Sequence, residues 1–390
     1  MTAERRVRVA VAGMGDIGLM HARNVARDQR AELVAVASTT IGRAAEVAAE
    51  LGAGVQPFSH EQLPASDVEA VVLCCRAREH VRYAVPLLEA GKHLLLEKPG
   101  ATTLADHDRL HAAAEAAPDS VLQIGYMRRF DPLFSEAHRL VAAGAIGEPL
   151  VLRMTSRDQE FPAGEDPADT GGFALDMAAH DYDTACWLLG QRPVRVSVER
   201  QALVHPQLLG LGDFDNAIIT VRFDAGGIAT SHISRTCAFG HDIRAEIMGR
   251  DGSIFVGNGA EGSGITILDA ASGDRFPVDY QARFSDAFRA EVLHFVDTCA
   301  AALSGEGVDS SIATGHGLSA AAGREGSSLA AATLEDDRLA VETGIAARAS
   351  AVQERALSVG EDWPWTAEPG DDDEPRESTA TDQLGPPVVR

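Results

Sequence analysis

The chain of 390 residues is poor in cysteine and aromatic residues and has no long apolar run. Its five cysteines are an odd number without metal-site spacing. Adjacent Cys74 and Cys75 point to opposite faces of a predicted strand and are poor disulfide partners for each other. This usage predicts a reduced, cytoplasmic setting. No apolar run approaches the roughly 18–20 residues of a membrane span, and no signal-peptide core is present, so we expect no membrane partner.

Basic residues are also scarce, since 34 Lys and Arg face 58 Asp and Glu for a net charge of -24. That charge argues against nucleic acid as a partner. Part of it lies in residues 366–390, where an acidic, proline-rich composition predicts a disordered tail. The remaining length suits two domains, which we place at residues 1–128 and 129–365.

A glycine-rich turn opens the first domain. Gly13, Gly15 and Gly18 form the pattern G-x-G-x-x-G between a predicted strand and a predicted helix. In that context the first glycine makes a tight turn and the second lets the backbone approach a pyrophosphate, which the helix N-terminus stabilises. The motif, with Asp16 and Ile17 inside it, therefore predicts a dinucleotide site.

Strands and helices then alternate through residue 126, which predicts an α/β domain with a doubly wound parallel sheet. Ligands of such sheets bind at the carboxyl ends of the strands, so Cys75 and Glu97 are predicted cofactor contacts. The predicted strands are 7–12, 32–37, 68–75, 94–97 and 121–126, and the predicted helices are 19–27, 42–51, 81–90 and 104–117.

The end of the second strand departs from the usual NAD pattern. An acidic residue there normally binds the ribose 2′-hydroxyl, whereas this chain has Ser38 and Thr39. Their hydroxyl groups suit a 2′-phosphate, and Arg43 is close enough in sequence to pair with it. We therefore predict NADP, or use of both NAD and NADP. The alternative is that Arg43 is a surface residue and the site takes NAD.

The second half has consecutive strands joined by short turns, which predicts an α+β domain with a large, mostly antiparallel open sheet. We expect the catalytic cleft between the two domains. The predicted strands are 150–156, 194–199, 217–223, 228–234, 243–248 and 253–256, and the predicted helices are 171–189, 284–303 and 317–353.

Lys98, Asp176 and His180 form a predicted proton-transfer set. Lys98 follows a buried strand in the tripeptide Glu97-Lys98-Pro99, where a parallel sheet holds its ligands. Asp176 and His180 are four residues apart, so a helix would place them on one face. The alternative for these two residues is a solvated surface pair.

These motifs resemble the Gfo/Idh/MocA oxidoreductases over about residues 7–322, with the closest likeness to inositol 2-dehydrogenases. The shared motifs are Q-I-G-Y-M-R-R-F-D-P at 123–132, S-R-D at 156–158 and D-M-A-A-H-D-Y-D at 176–183. The resemblance implies a Rossmann domain, a C-terminal domain with an open sheet and a homo-oligomer, a dimer or more often a tetramer.

Oxidation of a secondary alcohol releases a hydride to the cofactor and a proton to the protein. We predict that His180 accepts this proton and that Asp176 orients the His180 ring. Lys98 is predicted to hydrogen-bond the reacting oxygen and stabilise its developing charge. Alternatively Lys98 carries the proton, if burial lowers its pKa. Asp181 and Asp183 raise the alternative of a metal beside His180, but hydride chemistry requires none and we predict none.

The predicted substrate contacts also include Asp158, Arg129 and His241, with an internal carboxylate as the alternative partner of Arg129. Phe239 and His241 stand where the resembled enzymes carry tyrosines, and a charged loop from Arg76 replaces small residues near the cofactor. A small polyol, namely a cyclitol such as myo- or scyllo-inositol, is the predicted substrate. A pyranose, a nucleotide sugar or an amino-cyclitol precursor is the alternative. A non-catalytic dinucleotide sensor would be expected to have lost its proton-transfer residues or to carry a DNA-binding element. The sequence shows neither of these features.

Overall fold

The computed structural model describes residues 5–159, 167–257, 276–305 and 331–361. The first sheet has six strands in the order β3-β2-β1-β4-β5-β6, all parallel. This confirms the predicted doubly wound parallel sheet. The three-residue strand β3 was not predicted, because it has too few apolar residues to be recognised in the sequence. The strands are β1 Val7–Ala12, β2 Ala31–Ala37, β3 Gln56–Phe58, β4 Ala70–Leu73, β5 His93–Glu97 and β6 Leu122–Gly125. The helices are α1 Asp16–Arg27, α2 Ile41–Leu51, α3 His80–Glu89 and α4 Leu104–Ala116.

The second sheet has seven strands in the order β12-β11-β7-β10-β9-β8-β13. Only the β7–β10 pair within it is parallel, so the predicted α+β class is confirmed. The strands are β7 Pro149–Arg157, β8 Pro193–Gln201, β9 Asn216–Phe223, β10 Ile228–Ser234, β11 Asp242–Gly249, β12 Ser253–Val256 and β13 Leu357–Ser358. The helices of this half are α5 Pro132–Ala142, α6 Pro167–Thr170, α7 Gly172–Leu175, α8 Ala179–Leu189, α9 Tyr280–Leu303 and α10 Leu334–Gln353.

The single helix predicted at 171–189 is wrong. It is divided into α7 and α8 by a turn at residues 176–178. The Ala178 N–H donates to the carbonyl of Phe173, five residues back, which widens the chain locally. Asp176 therefore lies in the turn and His180 in α8, so the two do not share the face of one regular helix.

Helix α9 joins the two halves of the molecule. Its first residue, Tyr280, lies four residues before the predicted start, and Asp279 caps the helix by accepting a hydrogen bond from the Ala282 N–H. Although our prediction placed it in the second domain, its apolar residues Val292, Phe295 and Val296 share a core with β1 and α1. Of the predicted helix at 317–353, residues 331–353 are described; the helix begins only at Leu334, after an isolated β-bridge at Ala332. Residues 366–390 lie outside the described part of the chain.

The described part of the chain includes no helix with the length and hydropathy that crossing a bilayer requires. All five cysteines are free thiols.

Candidate active site

A cleft of about 760 Å³ opens where the carboxyl ends of β4 and β5 face the second sheet. Both domains and α9 contribute side chains to its walls. The predicted site residues that line it are Ile17, Cys75, Glu97, Lys98, Asp158, Asp176, His180 and His241. The charged loop noted in the sequence contributes Arg76 to the lining. Lining residues that were not among the predicted contacts include Arg128, Arg235, Tyr280, Phe284 and Phe288.

The Lys98 ammonium group is held by Asp176 inside this cleft. Its Nζ donates to Asp176 Oδ1 at 2.8 Å and to the Asp176 carbonyl at 2.9 Å. Burial raises the pKa of Asp176, but the charges of Lys98 and Arg235 outweigh it and hold the pKa below its ordinary value. Asp176 is therefore ionised at neutral pH, with Arg235 at 3.6 Å as its second cation.

His180 is a neutral imidazole in the same cleft. Burial, followed by the charges of Lys98, Arg128 and His241, holds the pKa of His180 well below its ordinary value. Its Nδ1 has no hydrogen-bond partner among the described residues, and Asp176 bonds Lys98 instead. The predicted orientation of the His180 ring by Asp176 is thus corrected. The ring edge instead meets the perpendicular ring of Tyr126, with 6.0 Å between centroids.

The glycine turn fits a dinucleotide. A Cβ on Gly13 would lie 2.4 Å from the Cys74 carbonyl oxygen, and one on Gly18 would lie 1.7 Å from the Gly13 carbonyl oxygen. These two glycines allow the close packing of strand, turn and helix. A Cβ on Gly15 would meet no atom within 4 Å, so this residue faces open space at the start of α1. That space, beside uncapped helix N–H groups, suits a pyrophosphate.

The residues that bear on NADP lie at the end of β2, outside the lining of the cleft. Ser38 is buried, and its Oγ accepts a hydrogen bond from the Thr40 N–H at 3.3 Å. Thr39 is exposed. Arg43 is 44% exposed and its guanidinium lies 3.4 Å from Glu46, one turn along α2. Its head is thus free to move towards a ligand at low cost.

The structure does not place Arg129 among the substrate contacts, where we predicted it. Its side chain is 1% exposed and does not line the cleft. It pairs with Asp183 at 2.5 Å and with Asp336 at 3.2 Å, which matches the alternative of an internal carboxylate. Arg128, its neighbour in a short 3₁₀ helix, instead lines the cleft and pairs with Asp181 at 2.5 Å. Sequence alone does not distinguish the two adjacent arginines.

Asp158 and His241 form a pair on the far wall. His241 Nδ1 lies 2.6 Å from Asp158 Oδ1, and His241 Nε2 has no partner among the described residues. Backbone bonds from Asp158 to Ser234 and Cys237 hold the carboxylate in place. Phe239, the other departure noted in the sequence, packs on Phe276 instead.

The charged loop at Arg76 crosses the mouth of the cleft. Arg76 and Arg78 each lie 2.5 Å from a carboxylate oxygen of Asp169 on α6. These ion pairs connect the first domain to the second beside the site. The sequence identified the loop as unusual, while its partner depends on the docking of α6.

Glu97, the last residue of β5, holds the loop that carries Lys98 through hydrogen bonds. It accepts hydrogen bonds from His21 Nε2 at 2.8 Å and from the Lys98 N–H at 3.2 Å. Burial and the Glu97 charge raise the pKa of the neighbouring Glu291 well above its ordinary value. The ligand atoms of His21, Glu97 and Glu291 lie within 4.8 Å of one another; the proposed hydride chemistry requires no metal, and we assign none to this cluster.

A Rossmann sheet with a dinucleotide turn, joined to a cleft with an ion-paired lysine and a neutral imidazole, defines a dinucleotide-dependent oxidoreductase. Residues 7–126 match the oxidoreductase family with an NAD-binding Rossmann fold, and residues 134–255 match the GFO/IDH/MocA C-terminal domain. The chain belongs to the GFO/IDH/MocA oxidoreductase family.

Named relatives are similar over most of their length. The chain is 37% identical to a scyllo-inositol 2-dehydrogenase (NAD(+)) of Bacillus subtilis, over 75% of this chain and 86% of the relative. It is 32% identical to a myo-inositol 2-dehydrogenase of Thermotoga maritima, over 74% and 87%. A crystal structure of a myo-inositol dehydrogenase from Corynebacterium glutamicum superposes with a TM-score of 0.72 at 26% identity, covering 91% of this chain and 99% of that one.

Proposed function

We propose that this enzyme interconverts a cyclitol secondary alcohol, such as that of myo- or scyllo-inositol, and its ketone with NAD or NADP. The Lys98–Asp176 pair in the cleft is the observation that supports it most directly, with His180 beside it. The pair lies beyond the sheet end where the glycine turn opens, as hydride transfer to a dinucleotide requires. The names of the relatives support the substrate class.

In the proposed mechanism, Lys98 donates a hydrogen bond to the reacting oxygen and stabilises the negative charge that develops on it. Ionised Asp176 accepts from the same ammonium and keeps it in place. His180 is neutral because burial and nearby cations lower its pKa, so its ring is able to accept the hydroxyl proton. When bound at the glycine turn, the nicotinamide cofactor supplies the hydride acceptor.

Lys98 remains the alternative proton carrier, favoured by the low proton affinity of His180. Chemical rescue separates the two assignments. If His180 is the base, added imidazole restores turnover to His180→Ala, whereas a primary amine restores only Lys98→Ala. Rescue of Lys98→Ala by the amine, with no rescue of His180→Ala by imidazole, would assign the proton to Lys98.

A panel of inositols, hexoses and nucleotide sugars with each cofactor, followed as nicotinamide absorbance, tests the substrate class. We expect the highest kcat/KM for an inositol, and His180→Ala and Lys98→Ala to lose most of kcat while cofactor binding survives. If the enzyme turns over only a pyranose, a nucleotide sugar or an amino-cyclitol precursor, that compound replaces the cyclitol as the proposed substrate. Near-normal kcat in both variants would show that the proposed catalytic set is wrong.

For the cofactor, we propose use of both NAD and NADP. Ser38 and Thr39 present no carboxylate to repel a 2′-phosphate, and the side chain of Arg43 is 44% exposed. Arg43→Ala is expected to lower kcat/KM for NADP about tenfold, as the loss of one charge-assisted phosphate contact, and to leave NAD unchanged. Strong preference of the wild type for NAD would overturn the proposal.

We also propose that copies associate through the open face of the second sheet. Exposed apolar side chains on this face include Ile218 on β9, Ile228 on β10, Met248 on β11 and Phe255 on β12, the last 74% exposed. Such a patch is typical of an oligomer interface. Light scattering should give a dimer or tetramer, and Phe255→Asp with Ile218→Asp a smaller species. A wild-type monomer would refute it.

A further inference from the structure

The loop that carries Lys98 is tied to the distant helix α10. The Gly100 N–H donates to both carboxylate oxygens of Asp337, at 3.1 Å each. Gly100 is two residues beyond Lys98, whereas Asp337 is 237 positions further along the chain. Asp337 is fully buried, so water does not compete for this charge-assisted bond.

The contact requires a glycine. A Cβ on Gly100 would lie 2.5 Å from Asp337 Oδ2, closer than a carboxylate oxygen tolerates. The carboxylate also has His107 Nε2 at 3.3 Å, on α4, so it has little room to withdraw. The loop after Lys98 is thereby held at a defined distance from α10.

The same carboxylate reaches the other side of the catalytic set. The Tyr126 hydroxyl donates to Asp337 Oδ1 at 2.9 Å. Burial and the Asp337 charge raise the pKa of Tyr126 well above its ordinary value, so its hydroxyl remains a donor at any working pH. The ring of Tyr126 meets the edge of the His180 ring at 90°, with 6.0 Å between centroids. Asp337 thus contacts one neighbour of Lys98 and one neighbour of His180.

We propose that Asp337 is a positioning residue, which sets the distance between Lys98 and His180 through Gly100 and Tyr126. Asp337 is not among the residues that line the cleft. The inference rests on the proposed roles of Lys98 and His180. Misplacement of a reacting group by about 1 Å costs on the order of 100-fold in rate, so loss of this tie affects turnover without affecting cofactor affinity.

Kinetics of Asp337→Asn and Tyr126→Phe provide the first test. We expect kcat to fall about 30-fold in Asp337→Asn and about fivefold in Tyr126→Phe, with the Kd for the cofactor unchanged. The matched control is Asp336→Asn, the adjacent buried carboxylate that pairs with Arg129. It is expected to lower Tm while kcat stays near the wild-type value. An equal loss of kcat in Asp336→Asn would show that the effect of Asp337 is merely structural and would contradict the positioning role.

A second test needs no substrate. Lys92 and Lys98 are the only lysines of the sequence, so amine labelling reports on Lys98 with Lys92 as an internal reference. In Asp337→Asn the labelling rate of Lys98 relative to Lys92 should rise severalfold. In Tyr126→Phe the ring resonances of ¹⁵N-labelled His180 should shift.

The two readouts separate the inference from the proposed function. If the wild type oxidises no polyol but labelling and resonances change as expected, the positioning role stands and the proposed function fails. Unchanged Lys98 labelling and unchanged His180 resonances in both variants would overturn the positioning role. Tyr126→Phe removes only a hydroxyl group, so it carries the test if Asp337→Asn does not fold.

Discussion

Two clusters of the same chemistry occur in this molecule. In the cleft, Lys98 pairs with Asp176 beside His180; inside the second domain, Arg129 pairs with Asp183 near His138. In both, burial and a nearby cation lower the pKa of the imidazole, that of His138 to about 4. The clusters differ in access. Side chains of the cleft pair keep 15% and 33% of their exposure, whereas those of the inner pair keep 1% each.

The difference shows that access to a cleft, rather than residue type, separates a reactive ion pair from a structural one. The carboxylate of the inner pair accepts three hydrogen bonds from Arg129, and both side chains are almost fully buried. In the cleft, the Lys98 ammonium donates two of its three N–H groups to Asp176 and faces open volume. Such a preorganised donor stabilises charge that develops during a reaction.

The largest expected effect comes from breaking the cleft pair. Lys98→Met should lower kcat by about 10⁴-fold, equivalent to about 5.5 kcal/mol of transition-state stabilisation. Lys92→Met is the matched control, because Lys92 binds the Ser66 and Val68 carbonyls away from the cleft. It should keep kcat and lose some stability. Steady-state rates with a polyol measure both, and a Lys98→Met enzyme within tenfold of the wild type would contradict the comparison.

Breaking the inner pair should affect stability instead. Arg129→Met leaves Asp183 buried without its cation and should lower the free energy of unfolding by about 3–5 kcal/mol. The folded fraction should keep kcat near that of the wild type. Urea unfolding gives the first quantity and initial rates the second. Combining Arg129→Met with Asp183→Leu should recover part of the stability, because Asp336 is then the only carboxylate of the two Arg129 partners left without its cation. A large loss of kcat at unchanged stability would return Arg129 to the substrate site.

Local patterns predicted the first half of this site. The glycine turn, and Lys98 after the buried strand β5, follow from features contiguous in sequence, and the rule for parallel sheets then places them at one edge. The spacing of Asp176 and His180 was misleading, because a four-residue interval does not reveal that the helix breaks between them. The pairing of Asp176 with Lys98 depends on how the second domain docks.

Long-range packing determined what the sequence did not reveal. Arg128 and Arg129 are adjacent and identical in type, and only the 3₁₀ turn decides which faces the cleft. Phe284 and Phe288 reach the cleft because α9 packs on the first sheet, which no local pattern indicates. Asp337 contacts Gly100 although 237 positions of sequence separate them.

The smallest expected effect compares the two imidazoles by pH. His138 is neutral in the folded protein because burial and Arg129 lower its pKa to about 4, against 6.5 for an ordinary histidine. The unfolded chain binds the proton below pH 6.5 and the folded one does not. Stability from this residue is therefore present above pH 6.5 and is lost as the pH falls below it.

His138→Phe keeps the stacking on Trp187, whose ring lies 4.2 Å away, and removes the titration. Between pH 7.5 and 5 its unfolding free energy should fall by about 1 kcal/mol less than that of the wild type, a figure reduced for partial exposure. Turnover should be unchanged. His180→Phe should flatten the same curve, because its pKa is also lowered, but should abolish turnover. Urea unfolding at the two pH values, with rates on the same samples, measures the contrast. Equal turnover in both variants would mean that access to the cleft does not distinguish the two imidazoles.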